Sequence, residues 1–169
     1  DQGIKTIAHS LDDVHKACPG YNVKVTLEIT AGQGSNLGYR FEQIARMFDA
    51  TKENDRLRVC FDTEHAFAAG YDIRTKEGYQ RTFAEFDEAI GLDRLAAFHL
   101  NDSKKEFNSR VDRHEHIGNF RQDDLRRRRV EHRDDVGESE MVFQEIGEVG
   151  HVAVGAQRPE YDLVPVPPA

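Results

Sequence analysis

Carboxylate and imidazole side chains follow several short apolar runs of this sequence. They are Glu28, Asp62, His65, His99, Asp112 and His114. Apolar runs of this length predict β-strands, and the carboxyl ends of parallel strands meet at one edge or face, where catalytic groups collect. Carboxylates and imidazoles are ligands that suit zinc and related ions. The joint placement of these residues, more than any single spacing, predicts a metal site.

The spacing of the last two residues adds a second kind of chemistry. Alternate residues of an extended chain face the same side, so Asp112 and His114 would face the metal while Arg113 faces away and is available to a phosphate. Glu28 and Asp62, at the ends of neighbouring strands, would repel each other unless a cation lay between them. Metal ions beside phosphate-binding cations suit hydrolysis of a phosphodiester.

Other charged residues are interpreted as ordinary surface groups. Glu64, Glu85 and Glu88 are predicted to be solvated helix or loop charges, and a lone Asp or His at a strand end is more often a capped loop residue than a ligand. Gly32 and Gly34 more often mark turns than ligand contacts.

Composition indicates one domain with a core. The sequence has 169 residues, of which 38% are hydrophobic and 32% charged. Its formal net charge of −8 argues against non-specific nucleic-acid binding by the whole surface. No apolar run approaches the length of a membrane span, so no membrane partner is expected. Cys18 and Cys60 are the two cysteines; Cys60 is predicted to be a buried thiol, which favours a cytoplasmic, intracellular location.

Helical and strand patterns alternate along the chain. Apolar spacing predicts helices over 4–16, 41–48 and 79–90, and strands over 23–28, 57–61 and 95–100, with a loop from His65 to Tyr71. This order predicts an α/β fold with a parallel sheet. After Gly118 the texture changes to an Arg-rich and then a Pro-rich stretch, so we expect one unit over 1–118 and a poorly ordered tail over 119–169.

Four segments resemble endonuclease IV, the family of zinc-dependent apurinic/apyrimidinic (AP) endonucleases of base-excision repair. They are Leu27–Gly34, Cys60–Asp72, His99–Lys104 and Ser109–Gly118. The resemblance covers roughly Ile4 to Gly118 and corresponds to the C-terminal half of the family. It implies a TIM (β/α)8 barrel, here a partial barrel of about three to four βα units. It also implies hydrolysis of the phosphodiester 5′ to abasic sites in double-stranded DNA.

The resemblance also implies roles for individual residues. Glu28 resembles the carboxylate that bridges two zinc ions, Asp62 and His99 resemble ligands of the second zinc, and these three are the predicted catalytic residues. The predicted ligands of the third zinc are His65, Asp112 and His114. Gly32, Gln33 and Arg113 resemble residues that contact DNA.

The family's first half has no counterpart in this sequence, including the two histidines that hold the first of three zinc ions. We therefore expect fewer than three zinc ions, incomplete activity, and either self-association or pairing with a separate N-terminal half. Glu145 is a candidate for a further family glutamate. Glu64 stands where the resemblance implies a small residue, often cysteine, so it would either add a carboxylate near the metal ions or face solvent. Two alternatives remain: a metal-dependent TIM-barrel sugar isomerase or epimerase, and an inactive remnant that binds zinc or DNA.

Overall fold

The computed structural model describes residues 2–118 and 153–154. The predicted tail over 119–169, with Glu145, lies outside the described residues except for positions 153–154. The helices are α1 (Gln2–Ala17), α2 (Phe41–Ala50), α3 (Thr63–Ala69) and α4 (Lys76–Ala89). The strands are β1 (Val25–Glu28), β2 (Leu57–Asp62), β3 (Leu95–His99), β4 (Asp102–Ser103), β5 (His114–Glu115) and β6 (Ala153–Val154). Among the described helices, none is long and apolar enough to cross a membrane.

Four strands form a parallel sheet in the order β1-β2-β3-β6. The predicted alternation of helices and parallel strands is therefore confirmed. Glu28 is paired with Cys60, and Asp62 is paired with His99. This register brings the carboxyl ends of β1, β2 and β3 to one edge, the edge at which the sequence carries its candidate ligands.

An aromatic layer fills the space between the sheet and the helices. Phe61 of β2 lies 4.9 Å from Phe83 of α4, ring centre to ring centre, and 5.7 Å from Phe98 of β3. Phe41 of α2 stacks on Tyr71 at 3.8 Å. Phe41, Phe61 and Phe98 are buried, so this layer fixes the helices against the sheet through apolar area removed from water.

The predicted loop after Asp62 is wrong, because residues 63–69 form helix α3. The Asp62 carboxylate caps this helix by accepting the backbone N–H groups of Glu64 and His65 at 2.8 and 3.1 Å. Gly70 ends it with a φ of 99°, in the left-handed region that glycine adopts without strain. Helix α4 begins before the predicted Tyr79, because the Thr75 side chain caps it by accepting the N–H of Gly78.

Candidate metal centre

Glu28 lies between two histidines at the end of β1. Its Oε1 is 2.9 Å from Nδ1 of His99 at the end of β3, and 3.3 Å from Nδ1 of His65 in α3. The His65 contact lowers the pKa of Glu28, partial burial opposes this, and His99 lowers it further. Glu28 is therefore a carboxylate that stays ionised while bridging two imidazoles.

The two carboxylate oxygens of Asp62 have different partners: one caps helix α3, and the other faces the candidate metal site. Its Oδ1 caps α3, whereas its Oδ2 accepts a hydrogen bond from the Asn101 amide at 2.8 Å. The same Oδ2 lies 3.3 Å from Nε2 of His114 and 3.7 Å from Nδ1 of His99. Only 1% of the Asp62 surface is exposed, so its charge depends on these partners and on any cation beside them.

His65 presents one ring nitrogen to the protein and the other to the site. Its Nδ1 lies 2.7 Å from the Ile29 carbonyl oxygen, which can only accept, so Nδ1 carries the proton. Its Nε2 is 3.3 Å from Oδ2 of Asp112, but it is buried and makes no hydrogen bond. A histidine fixed in this way through Nδ1 is the usual arrangement of a metal ligand that binds through Nε2.

Asp112 and His114 reach the site from the segment that leads into β5. Nδ1 of His114 is 3.1 Å from Oδ1 of Asp112, and the rings of His114 and His65 meet edge to face at 5.0 Å. The side chain of Gln33 accepts the backbone N–H of Asp112 at 2.9 Å. The structure therefore brings all the sequence-predicted ligand residues together, from three strand ends, one helix and one short hairpin.

The charges around His65 favour positive charge on its ring. Burial lowers the pKa of His65, but the contact with Glu28 and the charges of Asp62 and Asp112 outweigh burial and raise the pKa to about 9. A proton therefore occupies the space between imidazole and carboxylates when no metal is bound. A divalent cation would satisfy the same lone pairs.

Two groups of potential ligands have geometry that fits a metal ion. In each group, ligand atoms lie within 4.8 Å of one another: one contains Asp62, Glu64, His65 and His114, the other Glu28, Cys60 and His99. Mixed imidazole and carboxylate donors with a buried, unpaired Nε2 fit zinc or a similar ion. The donor types are those that the sequence predicted, but the groups differ from the predicted ligand sets, since Asp112 is in neither of them.

Two members of these groups are not among the predicted ligands. The sequence left Glu64 as either a solvated charge or a carboxylate near the metal ions; it is fully buried, and helix α3 turns it inward towards Ser103 of β4. Burial raises its pKa. Cys60 is buried as predicted, and burial together with Glu28 and Asp62 raises the pKa of its thiol to about 12. Glu85 and Glu88 are exposed, as expected.

The predicted DNA-contacting residues lie around the rim of this cluster. Arg113 and Gln33 are exposed, whereas Gly32 is buried with a φ of 79° under Tyr39. A Cβ on Gly32 would lie 2.7 Å from the Tyr39 ring, so this position tolerates only glycine. The guanidinium of Arg110 lies 4.1 Å from the centre of the same ring, a cation–π contact on the rim that the sequence did not predict.

Comparison with known proteins places this arrangement in a family. A family model described as a xylose isomerase-like TIM barrel matches residues 1–120. The chain belongs to the xylose isomerase-like TIM-barrel family. In barrels of this kind the active site lies at the carboxyl ends of the strands, which is where Glu28, Asp62 and His99 lie in this member.

Curated relatives of this TIM-barrel protein are named endonucleases. A protein named "Probable endonuclease 4" from Geobacter sulfurreducens is 57% identical over 118 residues, which are 70% of this chain and 40% of that protein. A protein of the same name from Chloroflexus aurantiacus is 52% identical over 118 residues, which are 70% of this chain and 41% of that protein. The chain therefore spans about two fifths of the length of these relatives.

A solved structure is also similar in sequence. Endonuclease IV from Thermus thermophilus shares 43% identity over 54% of this chain and 32% of its own, with a TM-score of 0.48.

Proposed function

We propose that this chain carries the zinc-binding, C-terminal part of an AP endonuclease that hydrolyses the phosphodiester 5′ to abasic sites in double-stranded DNA. The observation that carries the proposal is the convergence of carboxylates and imidazoles at the sheet edge, with the unpaired Nε2 of His65 among them. The names of the curated relatives support the same reaction.

The proposed ligand set follows from the contacts. Glu28 lies within 3.3 Å of His65 and His99 and is the candidate for a carboxylate shared between two ions. Asp62 offers Oδ2 on the side of His99 and His114, and Asp112 offers its carboxylate to His65 and His114. Bound zinc would supply a Lewis acid and a water of lowered pKa.

The protein's own groups would prepare this site for a phosphodiester. The Ile29 carbonyl accepts a hydrogen bond from His65, and the Asn101 amide donates one to Asp62, so both side chains are held in one orientation. The ligands therefore need little rearrangement when an ion binds. Arg113, exposed between two ligand residues, is the candidate for a phosphate contact. Gln33 joins the rim to the site through the N–H of Asp112, and Gly32 lets that loop turn tightly.

A sugar isomerase or epimerase would use a similar set of strand-end residues. That alternative is not favoured, because the relatives named above are endonucleases. A ketose isomerase assay with zinc or manganese tests it, and turnover of a sugar without nicking of DNA would favour it. An inactive binding remnant would take up zinc and bind abasic DNA without nicking it.

Native mass spectrometry combined with a nicking assay tests the proposed function. The 169-residue chain in zinc buffer should hold one or two zinc ions, and the same spectrum reports whether chains pair. The nicking assay uses a duplex with one tetrahydrofuran abasic analogue and the undamaged duplex as control. Zinc-dependent nicking 5′ to the analogue supports the proposal. A zinc-loaded, folded chain that leaves the duplex intact, even when supplemented with an N-terminal half, would contradict it.

A further inference from the structure

Glu64 belongs to one of the two groups of potential ligands, but the proposed ligand set leaves its carboxylate unused. Its relative exposure is 0%, and it lies between Thr63 and His65 at the start of α3. Carboxylates are almost never fully buried unless they are paired or bind a metal. The partners of Glu64 therefore decide its role.

One oxygen of Glu64 is fully engaged by the protein. Its Oε1 accepts a hydrogen bond from the Ser103 hydroxyl at 3.0 Å and another from the backbone N–H of Arg113 at 3.1 Å. Ser103 is in β4, and Arg113 immediately precedes β5. These bonds fix the carboxyl group between α3 and the hairpin that carries Asp112 and His114.

The other oxygen has no partner in the protein. Oε2 of Glu64 is buried and accepts no hydrogen bond. A carboxylate oxygen of Glu64 also lies within 4.8 Å of ligand atoms of Asp62, His65 and His114. An unpaired buried acceptor destabilises a fold, more so when it is charged, and a cation that binds it removes this cost.

We infer that Glu64 is an additional metal ligand, which coordinates through Oε2 the ion held by His65 and His114 beside Asp62, while Oε1 anchors it to the protein. The inference rests on the proposed metal centre and not on the DNA substrate. It makes this metal position richer in oxygen donors than two histidines and one aspartate would be. Glu64 is fully buried, whereas the side chain of Arg113 is exposed.

Glu64→Gln separates coordination from anchoring. The amide oxygen can still accept from Ser103 and Arg113, but the amide nitrogen that replaces Oε2 has no lone pair to give a metal. Zinc affinity, measured by competition with a chromophoric chelator, should fall about 10- to 100-fold at one site, the range seen when a supporting partner of a metal ligand is removed. Glu88→Gln, an exposed acid on α4, is the matched control and should bind zinc as the parent chain does.

Thermal unfolding of the metal-free proteins tests whether Glu64 is a metal ligand or only stabilises the fold. If Glu64 is a metal ligand, the metal-free Glu64→Gln variant should have the same melting temperature as the parent chain or a higher one, since a buried carboxyl becomes a neutral amide. Unchanged zinc affinity in Glu64→Gln would overturn the inference and leave Glu64 with the anchoring role alone. If the parent chain binds no zinc, the metal centre and this inference are both overturned. Zinc binding without DNA nicking would overturn the proposed reaction only.

A second measurement does not require a variant at Glu64. In the Glu28→Gln chain, carboxyl groups of glutamate are labelled with ¹³C and infrared difference spectra are recorded on adding zinc. Coordination by Glu64 predicts a shifted labelled carboxylate band and loss of any labelled protonated-acid band. Zinc binding with no change in the labelled bands would overturn the inference.

Discussion

The aromatic layer and the candidate metal site at the edge of the sheet use residues that are adjacent in the sequence. The first is stabilised by apolar packing, whereas the second is built from hydrogen bonds and ion pairs. Phe61 and Asp62 are consecutive in β2, as Phe98 and His99 are in β3. Phe61 is surrounded by other rings. Asp62 is nearly as buried, but its neighbours are imidazoles, amides and backbone N–H groups.

This difference separates stability from function along each strand. Burial of rings stabilises the fold by removing apolar area from water. Clustered carboxylates and imidazoles are desolvated, and a pair buried in this way contributes little or even costs stability until all partners are present. Removing a ring should therefore damage folding, whereas removing a ligand should damage ion binding.

The largest expected effect is on stability, from Phe61→Ala. Phe61 has 0% exposure and contacts Phe83 and Phe98, so its truncation leaves a cavity and should cost about 3–5 kcal/mol. Urea unfolding of the metal-free chain measures this. Val14→Ala, at a position that is 50% exposed, should stay within about 0.5 kcal/mol. A loss below about 1 kcal/mol for Phe61→Ala would mean that the aromatic layer does not carry the fold.

The next largest expected effect is a pH dependence of the stability that arises from protonation of His65. Its pKa of about 9 in the folded chain lies above its ordinary value, so its stabilising contribution is complete below pH ~6.5 and is lost as pH rises through ~9. This contribution is on the order of 3 kcal/mol.

Urea midpoints from about pH 6 to about pH 9.5 in the presence of a chelator measure this dependence. The parent chain should weaken towards alkaline pH, and His65→Asn should flatten the profile. A parent profile that is already flat would show that the carboxylates do not hold a proton on His65.

Glu28→Gln tests the contribution of the candidate metal site to zinc binding. Glu28 is half-buried and touches two histidines, so its loss should reduce zinc content and lower affinity by at least about 10-fold, with little effect on folding. Elemental analysis after dialysis against dilute zinc, with circular dichroism, measures both. Glu85→Gln on α4 is the control. Unchanged zinc content would show that Glu28 is not a shared ligand.

The smallest expected effect is on DNA affinity. Arg113→Ala should weaken binding to abasic duplex uniformly and reduce the salt slope of log K by about 1, since one phosphate contact is removed. Fluorescence anisotropy over a series of salt concentrations measures the slope. Arg81→Ala, an exposed arginine on α4, should leave it unchanged. Equal slopes for Arg113→Ala and the parent chain would remove Arg113 from the proposed DNA surface.

The fold could be predicted from the sequence wherever a residue pattern is compatible with one kind of structure. The period of Ile4, Ile7 and Leu11 predicted α1, and the strand ends predicted which side chains meet at the sheet edge. Parallel pairing leaves little choice about where Glu28, Asp62 and His99 lie, because the three strands end at the same edge.

It failed where tertiary context overrode residue type. Helix α3 was missed because it has no apolar period, and its start depends on a side chain that also belongs to the metal motif. The sequence could not decide between a solvated and a buried Glu64, because glutamates are rarely buried and its partners Ser103 and Arg113 are distant in the sequence. The short strands β4 and β5 are too brief for any periodicity to reveal.

The Asp62 carboxylate has almost no rotational freedom. Two backbone N–H groups hold Oδ1 and the Asn101 amide holds Oδ2, so the plane of the group cannot turn to follow an ion. A cation that enters must match the gap this oxygen leaves to the rings of His99 and His114. If an ion binds here, one of larger radius would have to displace an imidazole or break the start of a helix, so the rigid carboxylate would favour ions of one size.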